Sequence, residues 1–165
     1  MTKTLTKTNM PETGEKAPDF EAIDQEGKKI TLKQFKGKTV ILYFYPKDNT
    51  PGCTKEACSL RDRHSTFKKK NVVILGVSKD SQKSHHGFIG KYDLPFTLIS
   101  DTDKKVQMAY GVWQEKNMYG KKVMGTVRTT FIIGPDQKIA FVFRKVDCEN
   151  HAEEVLDKLE ELNLV

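Results

Sequence analysis

At 165 residues the chain has the length of one ordinary domain, enough to bury a core without disulfides or a structural metal. Its 37% apolar and 30% charged residues fall in the globular range, and no stretch approaches the run of about eighteen apolar residues that a membrane span needs, so a soluble protein with no membrane partner is expected. The net charge of +6 comes from lysines spread along the chain, with Lys68 to Lys70 as the one run, and a solvated helix end explains that run better than nucleic acid does.

Residues 1–13 read as a disordered lead-in. Leu5 is the only large apolar residue between Met1 and Met10, too little for the apolar region of a secretory signal, which points to a cytoplasmic protein. Nothing divides the chain after about Glu15, since it has no repeat, low-complexity tract or Pro/Ser-rich linker, so residues 14–165 are expected to form a single domain. Three cysteines are too few, and odd in number, for a structural disulfide framework in an intracellular chain, so a cysteine pair here points to catalysis.

Phe20 and Ala22 alternate on one side of Asp24-Gln25-Glu26-Gly27, and Ile30 and Leu32 on the other, which predicts an N-terminal hairpin. The β-branched and aromatic run from Thr39 to Tyr45, stopped by Pro46, reads as a central strand buried on both faces. From Cys53 to Lys69 there is neither Gly nor Pro, and Ala57, Leu60, His64 and Phe67 recur at helical spacing, so one helix of about four turns is expected, with Pro51 suited to its first turn. A second buried strand follows over Val72 to Val77, then Ser81 as N-cap region and a helix ending near Lys91.

A short strand is expected over Phe96 to Ile99, a short helix from Lys104 to Tyr110 stopped by Gly111, and a strand over Thr129 to Ile133. Gly134-Pro135-Asp136-Gln137 turns the chain into Ile139 to Phe143. The terminal helix from about His151 puts Val155, Leu156, Leu159 and Leu162 on one face, a core-closing pattern to which no chemistry is assigned. This order predicts an α/β, thioredoxin-like fold: a central mixed sheet flanked by helices, with an added N-terminal hairpin. The site is then sought from Pro46 to Cys58, at the strand's C-terminal edge.

There the end of a buried strand delivers Cys53 into the first turn of a helix, where unpaired amides and the helix dipole favour an anion. Only a small fraction of an ordinary thiol, with a pKa of about 8.5, is ionised at neutral pH, and helix N-termini and cationic neighbours increase that fraction. Cys53 is therefore placed to act as a thiolate nucleophile. Cys58 follows five residues later, which on an intact helix puts the two Cα atoms about 8 to 9 Å apart, beyond the roughly 7 Å that a disulfide tolerates. Either Cys58 is a small core residue and an outside thiol reduces Cys53, or the pair bonds and the first turns must unwind in each cycle.

The segment Phe44-Tyr45-Pro46-Lys47-Asp48-Asn49-Thr50-Pro51-Gly52-Cys53-Thr54-Lys55-Glu56-Ala57-Cys58 resembles the active-site signature of peroxiredoxins, in the branch of peroxiredoxin Q or bacterioferritin comigratory protein. Matches at Pro18-Asp19-Phe20, Gly76-Val77-Ser78, Tyr92 to Phe96, Tyr110 to Trp113 and Arg128 to Phe131 extend the resemblance over about Gly14 to Leu162. It implies a peroxidase that needs no metal, flavin or haem and acts on hydrogen peroxide and organic hydroperoxides, with Cys53 as the peroxidatic thiol that becomes a sulfenic acid. It also implies that Cys58 condenses with that acid to a disulfide, which thioredoxin or a similar dithiol reduces.

By the same resemblance, Thr50 bonds the thiolate and the peroxide, Pro46 shields the sulfur from water, Arg128 completes the pocket and Glu56 orients Arg128. A guanidinium also suits that place physically, because it stays charged and can donate to an oxygen as charge develops. With both cysteines in one chain, turnover needs no second subunit, and a monomer is expected.

Two features depart from the family pattern, Cys148 and the Gly134 to Gln137 turn, and neither is expected to touch the site. Cys148 and His151 are too few for zinc, so Cys148 reads as a bystander. His64 reads as a core or partly exposed residue, and His85 and His86 as solvent-facing. A thioredoxin-like disulfide reductase is the competing enzyme, argued against by a cysteine spacing wider than Cys-x-x-Cys. A non-catalytic binding module of the same fold would require Thr50, Cys53 and Arg128 to be coincidental.

Overall fold

The computed structural model describes residues 10–164, so the expected lead-in lies outside the described residues as far as residue 9; Met10 packs against the core and Pro11 is buried. Glu21–Asp24 (β1) and Lys29–Thr31 (β2) form the expected hairpin, with Gly27 at φ 79° closing the turn. Thr39–Phe44 (β3) is buried at every position, as its β-branched and aromatic composition requires of a strand covered on both faces.

The expected single helix is two, Pro51–Asp62 (α1) and His64–Lys69 (α2). Arg63 leaves helical geometry with φ −112° and ψ 12°, and its N–H turns to the Leu60 carbonyl. Lack of Gly and Pro could not keep the helix straight because its two halves pack on different elements. The α2 half lies against Val72–Ser78 (β4), and α1 lies against the terminal helix His151–Glu161 (α5), whose Glu153 draws in the Arg63 side chain at 2.8 Å.

Gln82–Tyr92 (α3) has the N-cap expected of Ser81, whose hydroxyl accepts the N–H of Ser84. Thr97–Ser100 (β5) and Lys105–Ala109 (α4) follow. Next comes an antiparallel ribbon that the sequence pattern did not reveal, Trp113–Met118 (β6) and Lys121–Thr126 (β7). Its residues are largely exposed and carry no apolar alternation, so period-2 patterning had nothing to detect. Its available signal was Tyr119-Gly120, whose φ values of 54° and 80° make the left-handed pair that a two-residue hairpin turn prefers. Thr129–Ile133 (β8) and Ile139–Phe143 (β9) complete the chain before α5.

Seven strands form one mixed sheet in the order β2-β1-β5-β4-β3-β8-β9. Within it β3, β4 and β5 run parallel and the remaining pairs antiparallel, as a thioredoxin-like fold requires. Alternate residues of β3 feed opposite cores. Val40, Leu42 and Phe44 pack with Phe20, Val106 and Tyr110, whereas Ile41, Tyr43 and Tyr45 pack under Ala57, Leu60, Phe88 and Val155 of the helices. The second layer presses α1 onto the sheet directly beyond the C-terminal end of β3.

Close packing there leaves Gly76 no room for a side chain. A Cβ at Gly76 would stand 2.7 Å from Leu98 Cδ2 and 2.8 Å from Tyr43 Cζ. Gly76→Ala is expected to lower the unfolding free energy by about 1 to 3 kcal/mol, read as a lower urea midpoint at unchanged slope. An unchanged midpoint would mean that Tyr43 yields without cost.

Candidate active site at the C-terminal edge of β3

The loop from Pro46 to Thr50 is fixed from beneath by a buried polar cluster. The Asp48 carboxylate accepts the Tyr45 hydroxyl at 2.6 Å and the Ser84 hydroxyl at 2.7 Å, and meets His85 Nδ1 at 2.8 Å. The other ring nitrogen of His85 lies 2.9 Å from the Ile99 carbonyl. His85 is therefore buried, not solvent-facing as its polar neighbourhood in the sequence suggested; only His86 of the pair is exposed. The ring is drawn inward because Asp48 and Ile99 supply both of its nitrogens with partners. The ligand-capable atoms of Asp48, Asp80 and His85 lie within 4.8 Å of one another, but Tyr45, Ser78, Ser84 and backbone groups already engage them.

This anchored loop delivers α1. Thr50 is its N-cap residue and Pro51 opens the helix, so Cys53 falls in the first turn, where backbone N–H groups lack helical partners. Cys53 is buried, and Arg128 Nη2 donates to its Sγ at 3.3 Å. Arg128 Nη1 donates to Glu56 Oε1 at 2.6 Å, so one planar guanidinium spans thiol and carboxylate. Partial burial works against the guanidinium charge, but Glu56 and Cys53 beside it hold its pKa above the usual value. Glu56 is fully buried, and burial raises its pKa to about 7 despite Arg128. A thiol at a helix N-terminus, with a fixed cation against its sulfur, is arranged to attack an electrophile whose departing atom gains negative charge.

The structure thus brings together Cys53, Arg128 and Glu56. Thr50 is the N-cap residue of the helix that carries Cys53, and its hydroxyl donates to the Lys47 carbonyl at 2.9 Å. Pro46 is half-buried at the end of β3, its carbonyl accepting from Lys79 at 3.2 Å. Cys58 is half-buried on the same helix as Cys53, and all three cysteines are free thiols.

Cys148 lies closer to the site than expected. A Cβ built on Gly52 would stand 3.3 Å from Arg128 Nη2 and 3.8 Å from Cys148 Sγ, so the two converge on the residue preceding Cys53. Chain distance hid this placement, because the loop from Arg144 to Asn150 returns over the start of α1. The start of the terminal helix also reaches the site, with His151 Nε2 3.8 Å from Glu56 Oε2. Lys116, whose ammonium donates to the Thr126 carbonyl two residues before Arg128, was missed together with its strand.

Comparison with known proteins gives a consistent set of relatives. Residues 13–142 match the model of the AhpC/TSA family. A putative peroxiredoxin bcp of Coxiella burnetii is 53% identical over 148 residues, covering 90% of this chain and 98% of that protein. Peroxiredoxin Bcp of Bacillus subtilis is 44% identical over 152 residues, 92% of this chain and 97% of the relative.

Among solved structures, a cysteine variant of Xylella fastidiosa PrxQ is similar with TM-score 0.87 and 37% identity over 93% of this chain and 98% of that one. Xanthomonas campestris bacterioferritin comigratory protein, described for its alkyl peroxide reduction activity, matches with TM-score 0.84 and 37% identity over 93% and 98% of the two chains.

Proposed function

The chain belongs to the AhpC/TSA family and is a thiol peroxidase of the peroxiredoxin Bcp type, and on that premise we propose that Cys53 reduces hydrogen peroxide and organic hydroperoxides and that Cys58 resolves the product. The observation that carries this reading is the 3.3 Å contact between Cys53 Sγ and Arg128 Nη2 in the first turn of α1. The Cys53 thiolate attacks one oxygen of the hydroperoxide and the O–O bond breaks. The sulfur becomes a sulfenic acid, and the other oxygen leaves as an alkoxide or hydroxide that takes up a proton. Arg128 donates toward the developing charge, Thr50 orients the peroxide after its hydroxyl rotates, and Pro46 limits water at the sulfur.

Condensation follows when the Cys58 thiolate attacks the sulfenic sulfur and expels hydroxide, which leaves as water. The two cysteines share α1, so its first turns must open. That end is weak. Thr50 makes no side-chain cap bond, a contribution typically of about 1 kcal/mol, and Gly52, the second residue of the helix, has more backbone freedom to regain on unwinding than alanine would. A dithiol of the thioredoxin type then reduces the disulfide. The working unit is residues 14–165, acting as a monomer in the cytoplasm, where ordinary thiols stay reduced. No helix among the described residues is long and apolar enough to cross a membrane.

Free-thiol counting and intact mass, before and after one equivalent of hydrogen peroxide, test the cycle. Wild type is expected to lose two of its three thiols at monomer size, and Cys58→Ser to stop at a sulfenic acid. Loss of a single thiol, or a cross-linked dimer, would remove Cys58 from the resolving role. No thiol loss would sink the reading of Cys53.

A further inference from the structure

We propose that His151 is a positioning residue for Arg128: together with Glu56 it holds one proton behind the guanidinium, and the place of that proton decides how firmly Arg128 is turned toward Cys53. This rests on the reading of Cys53 and Arg128 as the reacting thiol and its cation partner.

The buried Glu56 carboxylate has its two oxygens in different situations. Oε1 takes the 2.6 Å bond from Arg128, whereas Oε2 is buried with no hydrogen-bond partner among the described residues. An unsatisfied buried oxygen is costly, so the structure favours any state that gives it a proton or a donor. His151 Nε2 lies 3.8 Å away, and its ring is also wholly buried, held edge-on by Phe143 with centroids 5.4 Å apart. A closing movement of about one ångström would bring the two atoms into hydrogen-bond range.

The partners of the ring fix its protons. Nδ1 faces Glu154 Oε1 at 2.9 Å, and a carboxylate only accepts, so Nδ1 carries hydrogen. Nε2 faces the Thr130 hydroxyl at 2.8 Å, which can donate to it or accept from it. A further proton can therefore sit on Nε2, directed at Thr130 until the closing movement turns it to Oε2, or sit on Oε2 itself.

Charges of both signs act on this proton. Arg128, on the connection from β7 to β8, pushes a proton off the ring, whereas Glu154 on α5 and Asp147 in the loop before it hold one on. Cys148 in that loop and Tyr43 on β3 also feel the Glu56 charge, and Cys53 on α1 that of Arg128. Burial brings the pKa of Glu56 up to about 7 and lowers that of His151, so the carboxyl of this buried pair is the group that takes up a proton close to neutral pH.

The consequence reaches Cys53 through one bond. With Glu56 ionised, the contact to Arg128 Nη1 is charge-assisted on both sides and holds Nη2 at the sulfur. With Glu56 protonated the bond weakens, and the guanidinium is freer to turn away. His151 controls which state prevails.

The test is the rate constant of Cys53 oxidation by hydrogen peroxide between about pH 5 and 9, followed together with the ultraviolet absorbance of the thiolate. The wild-type rate should show, besides the step that tracks thiolate absorbance, a second step near pH 7 that is seen in the rate alone. His151→Gln, whose amide can donate to Oε2 at every pH, should move that step down by about one unit, a tenfold change in proton affinity.

His151→Leu removes the donor and should move it up, and Glu56→Gln should abolish it. Should the leucine variant fail to fold, the glutamine variant decides alone. A purely structural His151 would lower the rate at every pH with the second step in place, and that result overturns the proposal, as does a wild-type profile with no rate-only step. If hydrogen peroxide oxidises no thiol at any pH even in wild type, the peroxidase reading fails and this inference with it.

Discussion

Arg128→Met is expected to slow oxidation of Cys53 by hydrogen peroxide by about 100- to 1,000-fold, the usual consequence of losing one preorganised donor to a developing oxyanion. Methionine fills a similar volume but brings neither the charge at 3.3 Å from the sulfur nor the bond to Glu56. Arg128→Lys should recover little of the rate, because an ammonium is a point charge and cannot span Cys53 and Glu56 as the planar guanidinium does. Stopped-flow measurement of the first oxidation step isolates this effect from resolution and re-reduction. The loss should persist at saturating thiolate, above the pH at which its absorbance levels off, since the guanidinium also assists the transition state. A rate within tenfold of wild type there would show that helix N-terminal amides carry the stabilisation without Arg128.

The role of Arg128 illustrates what the sequence could disclose. Chemistry local in the chain was legible: a buried strand ended by Pro46, a helix opened by Pro51, and a cysteine in the first turn of that helix. Apart from the break at Arg63, strand and helix assignments from Thr39 to Ser100 followed from apolar runs and caps, because those elements are buried on fixed faces. Arg128 was read from resemblance alone, as a lone arginine before a strand has no pattern of its own. His85 and His151 looked ordinary because their partners are remote. His85 meets Asp48 across 37 positions, and His151 meets Thr130 across 21. The ribbon of β6 and β7 was missed for the opposite reason, since its exposed positions face no core that would impose a pattern. Periodicity reports burial, and neither a long-range polar contact nor an exposed hairpin leaves that trace.

The polar cluster beneath the active-site loop carries the other large effect, with Asp48→Ala expected to cost about 3 to 5 kcal/mol of stability, because it strips three buried or part-buried groups of their shared partner at about 1 to 3 kcal/mol each. Each ring nitrogen of His85 has one partner, Nδ1 the Asp48 carboxylate at 2.8 Å and Nε2 the Ile99 carbonyl at 2.9 Å. Alanine at 48 would leave that ring, the Tyr45 hydroxyl and the Ser84 hydroxyl without their shared acceptor. Because a domain is stable by about 5 to 15 kcal/mol in all, the variant should show a large fall in urea midpoint.

Asp48→Asn separates charge from shape. Its carbonyl can still accept from Tyr45, and its amide can still pair with His85 Nδ1, so the expected loss is smaller, about 1 to 2 kcal/mol. Equal losses in the two variants would mean that the volume of residue 48, rather than its hydrogen bonds, holds the loop. If the bonds do hold it, the alanine variant should also oxidise more slowly at temperatures where it remains folded, because Thr50 and the start of α1 hang from the same loop.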